Sequence, residues 1–150
     1  MDIGRAALVT AGIGSCGMAV FQLYAPRLYG WEQYFSLIPP HVAWAMKAGS
    51  VFFSFLVAWG GFLTVLAGAR RGPMGGLGYP ILCGLAIFWI VNVLYQIRIP
   101  APLPGNSGRV VLGCTIAIAL LYIFFFLTRY VAASRTSTKA SEWRSRAPVN

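Results

Sequence analysis

The chain is poor in charge, and poorest in acid. Its 150 residues include 12 Lys and Arg but only 3 Asp and Glu, and charged residues total 10%. A water-soluble domain carries about 25% charged residues, so most of this surface is not built for water. A single histidine, His41, cannot supply two axial haem ligands or a multi-histidine metal site. The three cysteines, Cys16, Cys83 and Cys114, show no CxxC spacing and lie inside apolar runs, where a free cysteine behaves as a small hydrophobe. With so few acids there is no credible Ser–His–Asp set. The glycine-rich stretch 72–78 lacks the lysine and flanking strand of a phosphate loop. These gaps favour a non-enzyme, with no cofactor that the sequence requires.

What is abundant is apolar: 58% of residues. Four long uncharged runs predict helices at about 6–25, 43–69, 78–97 and 110–130. Crossing a hydrocarbon core of about 30 Å takes about 20 such residues, and backbone groups in lipid must bond within their own segment. The expected fold is therefore an all-α integral membrane protein, with four transmembrane helices in an antiparallel bundle. Residues 1–131 form the membrane domain, and 132–150 form a polar basic tail expected to be disordered alone.

A secretory signal competes for the first run. Arg5 would be its basic flank, and Ile13-Gly14-Ser15-Cys16 loosely resembles a lipoprotein cleavage box. The run continues through Phe21, and the apolar part before Cys16 is short, which favours a retained span.

The bases sort by loop. With the N-terminus inside, Arg5, Arg70, Arg71, Arg129, Arg135, Lys139, Arg144 and Arg146 are cytoplasmic, and Arg27, Lys47, Arg98 and Arg109 are outside. Eight against four predicts both ends inside. This reading assigns the net charge of +9 to topology and to anionic lipid on the cytoplasmic side, not to nucleic acid. The short loop 70–78 predicts that the second and third spans are antiparallel neighbours. The segment from Pro26 to Pro40 carries Tyr29, Trp31, Tyr34 and Phe35, and is expected along the outer membrane surface, where Trp and Tyr concentrate.

Small residues recur at helical spacing. Gly12 and Ser15, then Gly60, Thr64 and Gly68, then Gly113 and Ala117, are candidate packing positions. Small residues let helix backbones approach in lipid, where the hydrophobic effect does not drive association. They serve either the chain's own bundle or a neighbouring subunit.

The membrane-level polar residues gather toward the outer side: Glu32, His41, Lys47, Asn92, Gln96 and Arg98. Such groups often mark function, although Lys and Arg at helix ends also snorkel to the interface. Glu32 is expected to pair with His41, Lys47 or Arg98. Glu32, Asn92, Gln96 and Arg98 are candidate ligand-binding residues, and His41 is the candidate axial ligand for a lone haem or pigment.

In helix number and length the layout resembles the small four-helix bacterial membrane proteins, of which the DoxX-like group is one. The likeness carries no motif and no functional residue. The expected function is a non-catalytic accessory subunit of a larger membrane complex, respiratory or photosynthetic, in the bacterial cytoplasmic membrane, with other membrane subunits as partners. The alternative is a small carrier of a hydrophobic ligand such as a quinone, lipid or pigment.

Overall fold

The computed structural model describes residues 2–70, 78–99, 103 and 105–146, with side chains as far as residue 134. The described residues form helices and turns without strands. Helix α1 spans Ile3–Leu28, α2 Glu32–Phe35, α3 Pro40–Ala69, α4 Gly78–Arg98 and α5 Ser107–Arg146. Four of them are long and apolar enough to cross a membrane: α1, α3, α4 and the part of α5 from Ser107 to Ser134. These coincide with the four expected runs: α1 and the α5 span extend theirs by a few residues at both ends, α3 by three at its start and α4 by one at its end.

Local chemistry sets the boundaries. Asp2 caps α1: its backbone is extended and Oδ1 accepts from the Gly4 N–H at 3.1 Å, which satisfies one of the first unpaired amides. Pro26 lies in the last turn of α1, where the missing N–H weakens continuation, and Gly30 turns the chain at φ +64°. Pro40 opens α3 at its first position, where no intrahelical N–H bond is lost. At the other end of α3, Arg5 Nη1 donates to the Arg70 carbonyl, a group that the helix leaves unpaired.

The closest helix contact is between α1 and α3, and glycine makes it. A Cβ added at Gly12 would stand 2.7 Å from the Gly61 carbonyl oxygen; one added at Gly61 would stand 2.8 Å from that of Gly12. Gly68 lies equally tight against Val9 and the Arg5 carbonyl, and Cys16 Sγ reaches the Ala58 carbonyl at 3.6 Å. Residue numbers rise along α1 as they fall along α3. The other face of α1 meets α5, with Gly4 beside Thr128 and Gly14 beside Ile118. Helix α4 leans on α5.

The short-loop expectation needs adjustment. Helices α3 and α4 touch at Gly60–Leu85 and Phe53–Phe88, ring centroids 5.8 Å apart. However, a cleft of about 360 Å³ lined by Trp59, Leu63, Ile81 and Trp89 opens between them. The main partner of α3 is α1, because Gly61 and Gly68 face that way. Residues 71–77 of the loop lie outside the described residues.

Leu8, Ala11, Leu82, Trp89, Ile118, Tyr122 and Phe125 fill the centre. The outward faces are apolar too: Trp44, Phe52, Phe55, Leu94 and Leu127 are all more than half exposed. Apolar surface on this scale has lipid, not water, as its fitting solvent.

Residues 135–146 continue α5 as helix, which differs from the disorder expected of the tail. Helix extension onto an existing span avoids the costly nucleation step, and Ala132, Ala133, Lys139, Ala140, Glu142 and Arg144 supply residues of high helix propensity.

Candidate functional site

The polar residues expected to converge at one end of the molecule fall into separate places. Glu32 lines a cavity of about 390 Å³. Its walls come from the end of α1 (Leu23, Tyr24, Arg27), from the α2 turn (Trp31, Phe35) and from the start of α3 (Met46, Lys47, Ser50, Val51). The turn at Gly30 folds α2 back so that its residues meet α3. Lys47 Nζ stands 4.8 Å from the centroid of the Phe35 ring, a cation–π distance. Glu32 and Lys47 thus share a cavity, but Glu32 makes no ion pair with Lys47, His41 or Arg98. His41 is exposed on the first turn of α3 and lies outside the cavity lining. Arg98 is exposed at the end of α4.

Asn92 and Gln96 belong to a second arrangement. Gln96 Nε2 donates to Asn92 Oδ1 at 2.7 Å and to Thr115 Oγ1 at 3.1 Å. Thr115 is buried and donates in turn to the Val111 carbonyl at 2.8 Å. Each of these hydrogen bonds completes another, so the chain ties α4 to α5 and leaves Gln96 engaged within the protein.

A third polar group sits at the centre and escaped sequence reading. Thr64 Oγ1 donates to the Gly60 carbonyl at 2.8 Å. Its one proton is thereby used, so the Tyr122 hydroxyl, 2.7 Å away, is the donor to Thr64. Ser15, which bonds the Ala11 carbonyl at 2.9 Å, borders the same hydroxyl. Thr64, Tyr122 and Ser15 are all essentially inaccessible. Tyr122 stands in the sequence as one aromatic among several. The available signal was the helical spacing of Thr115, Ile118, Tyr122 and Phe125, which marks one inward stripe.

The small residues divide as well. Gly12, Ser15, Gly60, Thr64 and Gly68 are buried inside the chain. Gly113 and Ala117 are exposed, and a Cβ added at Gly113 or at Gly17 meets open space. Ala117, Gly14 and Gly17 line a groove of about 740 Å³ between α1 and α5, closed at one end by Tyr29, Asn106 and Ser107. Among the described residues, no three His, Cys, Asp or Glu side chains gather where a metal ion could be held.

Comparisons with protein-family models, curated proteins and solved structures find no match to the chain. The likeness to small four-helix membrane proteins therefore stands on helix number and length alone.

Proposed function

We propose that the protein is a non-catalytic accessory subunit of a larger membrane complex in the bacterial cytoplasmic membrane. Its four spans form an antiparallel bundle with both ends on the cytoplasmic side, where Arg70 and the basic tail contact anionic lipid. The observation that carries this reading is the groove between α1 and α5 with its outward Gly17 and Ala117. Glycine in a helix costs about 1 kcal/mol relative to alanine, and Gly17 returns nothing to the chain's own packing. A helix from another subunit lying against Gly17 and Ala117 accounts for their small size, because small residues let it approach closely.

The test begins with mild detergent extraction from native membranes and measurement of the particle mass. The expected particle exceeds one chain. Gly17 and Ala117 line the groove and are exposed, so Gly17→Leu and Ala117→Leu should fill it without touching the internal packing, and each should release the partner while the chain keeps its own unfolding midpoint. A monomeric wild-type particle, or leucine variants that stay assembled, would overturn the reading.

A second reading, a carrier of a hydrophobic ligand, is supported by the Glu32 cavity among α1, α2 and α3. Its polar and aromatic wall is unlike the lining of a plain helix–helix groove. Alanine at Glu32 should then abolish retention of the ligand, and unchanged retention excludes it.

A further inference from the structure

We propose that the Glu32 cavity is a headgroup site for a zwitterionic phospholipid, one that carries a phosphodiester and a primary ammonium. The proposal rests on the membrane reading and is independent of the subunit reading.

Three charged side chains from three separate elements line this one cavity: Arg27 from α1, Glu32 from α2 and Lys47 from α3. None of them forms an ion pair with another. Two cations and one carboxylate that face a common space without neutralising one another define a charge pattern, and a ligand of complementary pattern fits it. A phosphodiester between Arg27 and Lys47 meets the two positive groups, as Arg and Lys are the usual phosphate partners. An ammonium beside Glu32 meets the negative one. Both charges sit on a single headgroup of net charge zero.

Glu32 is what narrows the chemistry. Arg27 and Lys47 alone are explained by snorkelling from helix ends, and they would attract any anionic lipid. A carboxylate in the same lining repels a purely anionic headgroup. A quaternary ammonium has no N–H to give it, whereas a primary ammonium has three, and charge-assisted hydrogen bonds of this kind are the strong ones. The rest of the cavity suits a lipid. Trp31 and Tyr24 are residues of the membrane–water boundary, while Leu23, Met46 and Val51 give an apolar edge along which acyl chains continue into the bilayer. Lys47 is held over the Phe35 ring, so its ammonium is positioned before a ligand arrives.

The full-length protein, stripped of lipid in detergent, is titrated with phosphatidylethanolamine, phosphatidylglycerol and phosphatidylcholine of identical acyl chains. Bound lipid is counted by native mass spectrometry, and soluble phosphoethanolamine forms a fourth arm. Phosphatidylethanolamine should bind about tenfold tighter than either other lipid, a difference of about 1.4 kcal/mol, and the soluble headgroup should bind far more weakly. Glu32→Gln should erase the preference over phosphatidylglycerol, and Glu32→Asp should retain part of it. Arg27→Gln and Lys47→Gln should weaken all phospholipids together. All three residues are exposed, so the variants should unfold at the wild-type midpoint, which is measured alongside. Three results would overturn the proposal: phosphatidylglycerol binding as tightly as phosphatidylethanolamine, phosphatidylcholine binding as tightly, or a preference that survives Glu32→Gln. Soluble phosphoethanolamine binding as well as the lipid would place the ligand in water and refute the lipid assignment.

Discussion

Replacing Gly12 by alanine adds a single methyl group, and the structure says where it must go. The new Cβ would lie 2.7 Å from the Gly61 carbonyl oxygen, 2.7 Å from Val65 Cγ2 and 2.8 Å from the Val65 amide nitrogen. Ordinary contact begins near 3.4 Å, so the methyl falls short by about 0.7 Å. Two of the three obstacles are backbone atoms, which no rotamer change can move. The helices α1 and α3 must therefore separate by most of that distance along their closest stretch. A gap of 0.5–1 Å forfeits about a quarter to a half of each dispersion contact it opens, and overpacking of this kind costs about 1–3 kcal/mol. The contact is reciprocal, since a Cβ at Gly61 meets the Gly12 carbonyl and Cys16. Gly61→Ala should cost a similar amount, and the double variant less than the two costs together, because one separation relieves both clashes. Gly17→Ala is the control: same helix, same substitution, open space. It should be neutral or stabilising by up to about 1 kcal/mol, the gain alanine brings to a helix where nothing blocks its methyl group. Reversible unfolding in mixed micelles, followed by tryptophan fluorescence, gives all four values. The reasoning fails if Gly12→Ala is as stable as the wild type, or if Gly17→Ala is equally damaging.

Further expectations concern the polar groups inside and at the ends of the helices. Tyr122→Phe removes the donor to Thr64 but leaves Thr64 and Ser15 bonded to their own helices, so it should cost about 0.6 kcal/mol, with an upper bound near 1.7. Combining Thr64→Val with Ser15→Ala strips the buried Tyr122 hydroxyl of both neighbouring acceptors and should cost more, about 1–3 kcal/mol; the same unfolding assay reads both, and the reverse order would refute the assignment of donor and acceptors. Gln96→Leu breaks the tie between α4 and α5 and should lower stability by about 0.6–1.7 kcal/mol, with a matching fall in disulfide cross-linking between cysteines introduced on those two helices. Asp2→Ala removes the cap of α1 and should speed amide exchange at residues 4–6, equivalent to about 0.5–2 kcal/mol of local stability; Asp2→Asn keeps the capping oxygen and should stay near wild type, although it loses the charge that faces Arg129 at 3.6 Å.

The candidate site was only partly legible in the sequence. Glu32 and Lys47 were placed toward one end of the molecule, and they line one cavity. Asn92 and Gln96 were grouped with them but turn toward Thr115 instead, and His41 stands apart. Distance along the chain gives a residue's depth in a membrane, because a helix rises about 1.5 Å per residue. It does not give the direction in which the helix faces. Residues near the same end of several helices can share a cavity or point to different neighbours. Arg27, which completes the charge pattern, was assigned only to topology, since a cation at a helix end has an ordinary explanation.

The sequence by itself determined that the chain is helical and that four of its segments are long and apolar enough to cross a membrane. Those properties follow from local composition, because lipid demands that each segment bond its own backbone and present apolar side chains. The tertiary structure alone decided which small residues pack and which face outward. It set Gly12 against Gly61 and left Gly113 open, and it joined Thr64 to Tyr122 across 58 positions. It also decided that α3 lies along α1 more closely than along its sequence neighbour α4. These outcomes depend on how each helix is rotated and which partner it meets. In lipid, where hydrophobicity does not rank one helix partner above another, close backbone approach and a few hydrogen bonds make that choice.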